Sequence, residues 1–186
     1  MGQSKTIGAA EIHAAIDRLA TAILERHHAS PWLLVLGIAN GGIEVARRLS
    51  SRLTALRPEL IVKVGTLDVS FHRDDISRNP IPKEFVATNI PADVNGAQII
   101  LVDDVLYSGR TIKAALDELF DHGRPTQVEL AILVDRGGRR LPVAPDYCGI
   151  TVDATELEKV SVFLDPGQPD RDQIRIAAAI NRNAAI

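Results

Sequence analysis

Two adjacent carboxylates, Asp103 and Asp104, lead directly into a turn of Ser108, Gly109, Arg110 and Thr111, and no other stretch of the chain is so well equipped for chemistry. The acidic pair closes a continuous apolar run that starts at Ile99. Such a run reads as a strand buried on both faces, as in a parallel sheet. Side chains alternate along a strand, so neighbouring Asp residues serve one site only where the chain leaves the pleat. That place is the carboxyl edge of the sheet, where open α/β folds bind ligands. The turn then opens a helical pattern from Ile112 to Phe120. It offers hydroxyls, a guanidinium and backbone N–H groups at a helix N-terminus, which together suit an anion. Carboxylates for sugar hydroxyls or Mg2+, beside a phosphate cradle, describe a phosphorylated sugar.

Other sites also use an apolar strand ending in Asp-Asp, among them phosphoacceptor receiver domains and metal centres. Receivers place the pair near the start of the chain and need a separate phosphoacceptor Asp and a Lys downstream. Here the pair lies mid-chain and runs straight into the Ser-Gly-Arg-Thr turn. The chain has no Gly-x-x-x-x-Gly-Lys-Ser/Thr, which argues against a nucleoside-triphosphate P-loop.

The elements that must position these groups follow from periodicity. Ile12, Ala15, Ile16, Leu19, Ile23 and Leu24 recur at helical spacing over residues 11–28. Residues 32–38 are an apolar run of strand length; Ile43, Ala46, Leu49 and Leu53 mark a second helix, and residues 61–69 a second strand. Periodicity fades over residues 70–94, which contain Pro80, Pro82 and Pro91 and read as a mobile functional loop. After the signature strand and its helix, residues 128–134 form a further strand. Shorter extended pieces follow at 147–152 and 160–164, then a helical stretch from about Gln173. Strands alternating with helices call for a doubly wound, mainly parallel α/β sheet in one domain over residues 1–186.

Composition sets bounds on function. No apolar run approaches a membrane span, the N-terminus lacks a signal-peptide core, and the lone Cys148 has no disulfide partner. These observations predict a cytoplasmic protein with no membrane partner. A net charge of −3 argues against a generic nucleic-acid binder and means that anionic ligands depend on local donors and Mg2+.

The run from Ile99 to Thr111 resembles the phosphoribosyl pyrophosphate (PRPP) signature of type I phosphoribosyltransferases. Three further segments match that family in order: Gly37-Ile38-Ala39-Asn40-Gly41-Gly42-Ile43, Val64-Gly65-Thr66-Leu67-Asp68-Val69-Ser70-Phe71-His72-Arg73-Asp74-Asp75, and Leu133-Val134-Asp135-Arg136-Gly137. The resemblance covers about residues 11–165 and is strongest to the branch that joins uracil phosphoribosyl transfer with regulation of pyrimidine operons.

The resemblance implies a type I phosphoribosyltransferase fold with a small hood, formed with edge strands by residues 136–165. It implies that Asp103 and Asp104 bind ribose hydroxyls directly or through Mg2+, a set of hard oxygens that suits this ion. Val105, Leu106, Tyr107, Ser108, Gly109, Arg110 and Thr111 would wrap the 5-phosphate. Arg73 would reach pyrophosphate from a closing loop, and Asn40 and Gly41 would form the pyrophosphate loop. Asp135, Arg136 and Val160 hold the positions of base recognition. Tyr107 stands where purine-using relatives usually carry an Asp, and a phenol is a poor substitute for that carboxylate. Uracil is therefore the implied base and UMP the product.

The chain also departs from the family pattern. Ala39 and Gly41 replace a Lys and an Arg, and a charge-assisted hydrogen bond from such a cation is typically worth about 1.5–3 kcal/mol. The family's regulatory activity, UMP-dependent binding of pyrimidine-operon mRNA, points to Arg18, Arg139 and Arg140, although Asp17, Thr21, Gly138 and Ile150 depart from that surface. Three readings therefore stand: a uracil phosphoribosyltransferase with or without a regulatory role, a nucleotide-sensing regulator with little or no turnover, or a phosphoribosyltransferase for another base, against which Tyr107 and the overall match argue. The family assembles as homodimers or larger oligomers.

Overall fold

The computed structural model describes residues 4–70 and 86–179. In chain order its elements are β1 (Lys5–Gly8), α1 (Ala9–Arg26), β2 (Trp32–Ile38), α2 (Gly41–Leu56), β3 (Ile61–Leu67), β4 (Gln98–Leu106), α3 (Arg110–Asp121), β5 (Gln127–Asp135), β6 (Tyr147–Thr151), β7 (Glu158–Phe163), a 3-10 turn (Pro169–Arg171) and β8 (Gln173–Ala178). Five strands pair in the order β3-β2-β4-β5-β6, all parallel, and β1-β8-β7 form a separate antiparallel sheet.

Alternate residues of the parallel strands are buried on opposite faces. Leu33, Val35, Ile100, Val102, Ala131 and Leu133 pack with Ile12, Leu19 and Ile23 of α1 and Val45, Leu49 and Leu53 of α2. Leu34, Leu36, Ile38, Ile99, Leu101 and Ile132 pack on the other face with Ile112, Ala115 and Leu119 of α3. Burial on both sides explains why these strands read as unbroken apolar runs. The chain winds outward from β2 to β3 on one side and from β4 through β5 to β6 on the other. The direction therefore reverses between β2 and β4, and the crevice at such a reversal is where open α/β sheets take ligands.

Three sequence expectations are corrected. The tail from Gln173 is a strand, β8: Ile174 and Ile176 are buried at period two between β1 and β7, and this pairing overrides the helix propensity of the alanines beside them. The hood is not confined to residues 136–165, because its sheet recruits β1 and β8 from the two ends of the chain. The far part of the expected mobile segment, around Thr88 and Asn89, is held in place. Residues 71–85 lie outside the described part, but Asn89 exchanges backbone hydrogen bonds of 2.9 Å with Thr66. Thr88 Oγ accepts from the Asp68 amide and donates to Glu118, tying this stretch to β3 and α3.

Asp172, buried beneath the hood, holds that sheet to the main body. It accepts from Arg48 of α2 and from the Asp165 amide, and lies 3.0 Å from His13 Nε2 of α1. No helix among the described residues is long and apolar enough to cross a membrane.

Candidate functional site

The pairing of β2 with β4 ends at Gly37 and Val102, whereas β4 continues beside β5 as far as Leu106 and Asp135. Asp103 and Asp104 sit in this extension, so they lie within the strand and not beyond its end as the sequence suggested. What lets both serve the crevice is the loss of the β2 neighbour. Asp103 Oδ1 accepts from the Asp104 amide at 3.0 Å, and Asp104 Oδ1 from the Val105 amide at 2.8 Å.

Across the crevice, β2 turns into α2 through Ala39 and Asn40, and the Ala39–Asn40 peptide is cis. Gly41 and Gly42 open α2 against the acidic pair. A Cβ on Gly41 would lie 2.5 Å from both carboxylate oxygens of Asp104, and one on Gly42 would strike the Val102 carbonyl. Asn40 and Gly41 are exposed beside the carboxylates, so the structure brings together the sugar-binding and pyrophosphate-loop residues picked from the sequence.

Burial pushes the pKa of Asp103 well above the ordinary carboxylate value, and the neighbouring Asp104 raises it further. Burial raises Asp104 as well, against the Val105 amide that favours its anion. Among the described residues no Lys, Arg or His forms an ion pair with either carboxylate. Paired hard oxygens of this kind are the donor type that suits Mg2+. No cluster of three or more candidate metal ligands occurs among the described residues, so Mg2+ would draw its remaining ligands from substrate oxygens and water.

The turn from Tyr107 to Thr111 follows. Ser108 Oγ accepts from the Arg110 amide at 3.3 Å, and α3 begins at Arg110. The 136–143 segment wraps this turn from behind. The amide of Arg136 donates to the Leu106 carbonyl, and those of Arg140 and Leu141 donate to the Ser108 carbonyl.

Arg136 is buried, and its guanidinium stands over the Tyr107 ring, 4.1 Å from the centroid, with Nη2 donating to the Thr155 carbonyl. Its Nε is buried without a hydrogen-bond partner. Asp135 pairs with Arg139, not with its neighbour Arg136. Val160 is buried in the core under the hood rather than open to the crevice. Arg73 lies outside the described residues.

The arginines assigned to RNA each have a partner within the chain. Arg18 donates to the Gly149 carbonyl at 2.9 Å, Arg140 pairs with Glu156, and Arg139 is turned inward. Two site features escaped the sequence reading. Asp68, at the end of β3, is buried and accepts from both the amide and the hydroxyl of Ser70. Gly138 has φ +76°, and a Cβ there would run into the Tyr107 ring. The Gly137-Gly138 dipeptide was the available signal for that packing. Gly138→Ala is expected to cost about 1 kcal/mol of stability. It should also displace Tyr107, raising KM for the base several-fold more than KM for the phosphosugar, as initial-rate kinetics would show.

Comparison with known proteins agrees with this geometry. A phosphoribosyl transferase domain model matches residues 7–184. The chain is 41% identical over 177 residues to "Bifunctional protein PyrR" of Listeria welshimeri, covering 94% of each chain. It is 43% identical over 154 residues to the protein of that name in Elusimicrobium minutum, covering 83% of this chain and 86% of the relative. Among solved structures, the hypoxanthine phosphoribosyltransferase of Trypanosoma cruzi superposes with a TM-score of 0.67 at 18% identity, covering 92% of this chain and 95% of that one. A hypoxanthine-guanine phosphoribosyltransferase of Bacillus anthracis gives 0.65 at 18% identity, covering 82% and 86%. At such identities the structural likeness speaks for the fold alone.

Proposed function

The chain belongs to the phosphoribosyl transferase domain family, in its PyrR branch, and from that premise we propose that it transfers the phosphoribosyl group of PRPP to uracil, giving UMP and pyrophosphate. The observation that carries the proposal is the meeting of Asp103 and Asp104 with Gly41 and Gly42 at the reversal point of the sheet, directly upstream of the phosphate turn.

Transfer breaks the bond between ribose C1 and pyrophosphate and forms one to a ring nitrogen of the base, whose proton passes to the departing pyrophosphate or to water, through a transition state with oxocarbenium character at C1. In this reading Asp103 and Asp104 bind the ribose hydroxyls, and their negative charge lies where positive charge develops. Bound Mg2+ would neutralise pyrophosphate oxygens as the leaving group departs. The turn of Val105, Leu106, Tyr107, Ser108, Gly109, Arg110 and Thr111 holds the 5-phosphate and so fixes the ribose. Asn40 and the exposed start of α2 receive pyrophosphate, with Arg73 as a further donor.

Tyr107, with Arg136 stacked on it, supports a pyrimidine at the wall where a purine enzyme would place a carboxylate. A base carbonyl is the kind of acceptor that the Arg136 Nε lacks. Asp135 is assigned to base recognition through its Oδ1, which accepts from the Gly137 amide beside Arg136.

UMP-dependent binding of pyrimidine-operon mRNA is the second part of the proposal, in a cytoplasmic homodimer or larger homo-oligomer. Exposed Leu56, Ile61 and Val64 on α2 and β3 support the assembly. RNA contact through Arg18 and Arg140 would have to compete with the partners they already hold. The transferase is therefore the stronger half of the reading.

The test is UMP formation from PRPP with Mg2+ across uracil, cytosine, hypoxanthine and guanine. Uracil should be the base used. Turnover with a purine alone would overturn the choice of base. Absence of any turnover in a chain that binds UMP would favour the regulator, whose sequence basis is Ala39 and Gly41.

A further inference from the structure

Arg139 was a candidate for RNA contact on sequence grounds, but the structure gives its guanidinium another task. Its side chain is only 23% exposed. Nη1 faces the carbonyls of Tyr107 at 3.0 Å, Leu106 at 3.3 Å and Gly137 at 3.4 Å, Nε donates to the Val143 carbonyl at 3.1 Å, and Nη2 to Asp135 Oδ2 at 2.5 Å. Every nitrogen of the fork is thus engaged inside the chain, at the carbonyl ends of the phosphate turn.

The carbonyls it holds decide where the next amides point. In a trans peptide the C=O and the following N–H point in opposite directions. Arg139 draws back the carbonyls of Leu106 and Tyr107, which aims the amides of Tyr107 and Ser108 the other way. The Arg140 and Leu141 amides draw back the Ser108 carbonyl at 3.0 and 3.1 Å, which aims the Gly109 amide likewise. Three consecutive amides facing one way form a concave anion nest. A cation behind the carbonyl ends also aligns with those peptide dipoles and strengthens their N–H groups as donors.

We propose that Arg139 is a positioning residue for 5-phosphate binding: it touches no substrate but pre-sets the amides of the phosphate turn. The proposal rests on the phosphoribosyl reading of the site. It differs from a general structural role because its effect should follow the phosphate alone.

The experiment is the affinity of wild type, Arg139→Ala and Arg139→Lys for UMP and for uridine by calorimetry, with melting temperatures of the free proteins. Wild type should prefer UMP strongly. Arg139→Ala should lose UMP affinity by about tenfold or more, the usual scale for one charge-assisted hydrogen bond, with uridine affinity unchanged. Arg139→Lys, which keeps the charge but not the planar fork, should recover part of the loss. An unchanged UMP-to-uridine ratio in Arg139→Ala would overturn the assignment. Equal loss of both ligands, or a Lys variant as impaired as an unfolded Ala variant, would overturn it in favour of a merely structural arginine. A wild type that binds UMP no better than uridine would sink the phosphate site itself, and the role of Arg139 with it.

Discussion

Asp103→Asn, Asp104→Asn protein is expected to lose phosphoribosyl transfer by on the order of 10^3-fold while melting at a higher temperature than wild type at neutral pH. Both effects come from one piece of electrostatics. Burial raises both carboxyl pKa values above those of the unfolded chain. A group whose folded pKa is raised binds its proton more tightly in the native state, so the ionised pair opposes folding. That penalty is absent below the unfolded carboxylate value near 4, grows as pH rises, and is complete above the folded values. Asparagine removes it. The stabilisation should therefore be present at pH 7 to 8 and vanish on titration to about pH 3, where the wild-type acids carry protons in both states.

Ligand sensitivity should reverse in the same variant. Mg2+ with PRPP should raise the wild-type melting temperature, because ligands that bind only the native state stabilise it. The double variant should show little response. Thermal melts at several pH values, with and without Mg2+ and PRPP, would check each point. A double variant less stable than wild type at pH 8 would mean that the bonds to the Asp104 and Val105 amides outweigh the burial of charge.

Much of the framework around this candidate site was legible in the sequence because its strands are buried on both faces. An unbroken apolar run such as residues 32–38 matches β2, and the Gly-rich start of α2 and the Ser-Gly-Arg-Thr turn declare themselves by residue type. Pairings between distant segments were not legible. Nothing local to Gln173-Ile174-Arg175-Ile176 announces β1 as a neighbour, and a short period-two pattern running into alanines reads equally as helix. The direction of a side chain was hidden for the same reason. Arg139 and Arg140 are adjacent in sequence, yet one reaches under the phosphate turn and the other pairs with Glu156 on the surface. The acidic pair was read as lying past the strand because periodicity cannot show which neighbour ends first; here β2 stops while β5 carries β4 onward.

Gly41→Ala and Gly42→Ala, neighbours on one helical turn, are expected to fail in different ways. A Cβ on Gly42 would collide with the Val102 carbonyl and come within 3.0 Å of the Asp103 Cα, and these are backbone atoms of a buried strand that cannot rotate aside. The start of α2 must then back away from β4. Overpacking of this kind costs about 1–3 kcal/mol of stability, and a displacement near 1 Å at a reacting centre costs about 10^2-fold in rate. The Cβ of Gly41→Ala instead meets the Asp104 carboxylate first, 2.5 Å from each oxygen, and that group can turn about its own χ angles. The fold should survive, with a melting temperature close to wild type. The carboxylate, however, would leave the position from which it is proposed to bind ribose and Mg2+, so transfer should fall and the Mg2+ concentration for half-maximal rate should rise. Melting temperature and Mg2+ dependence measured on both variants separate the two outcomes. If Gly41→Ala kept full activity at unchanged Mg2+ requirement, the orientation of Asp104 against α2 would not be what positions it for catalysis, and the role of the pair would pass to Asp103.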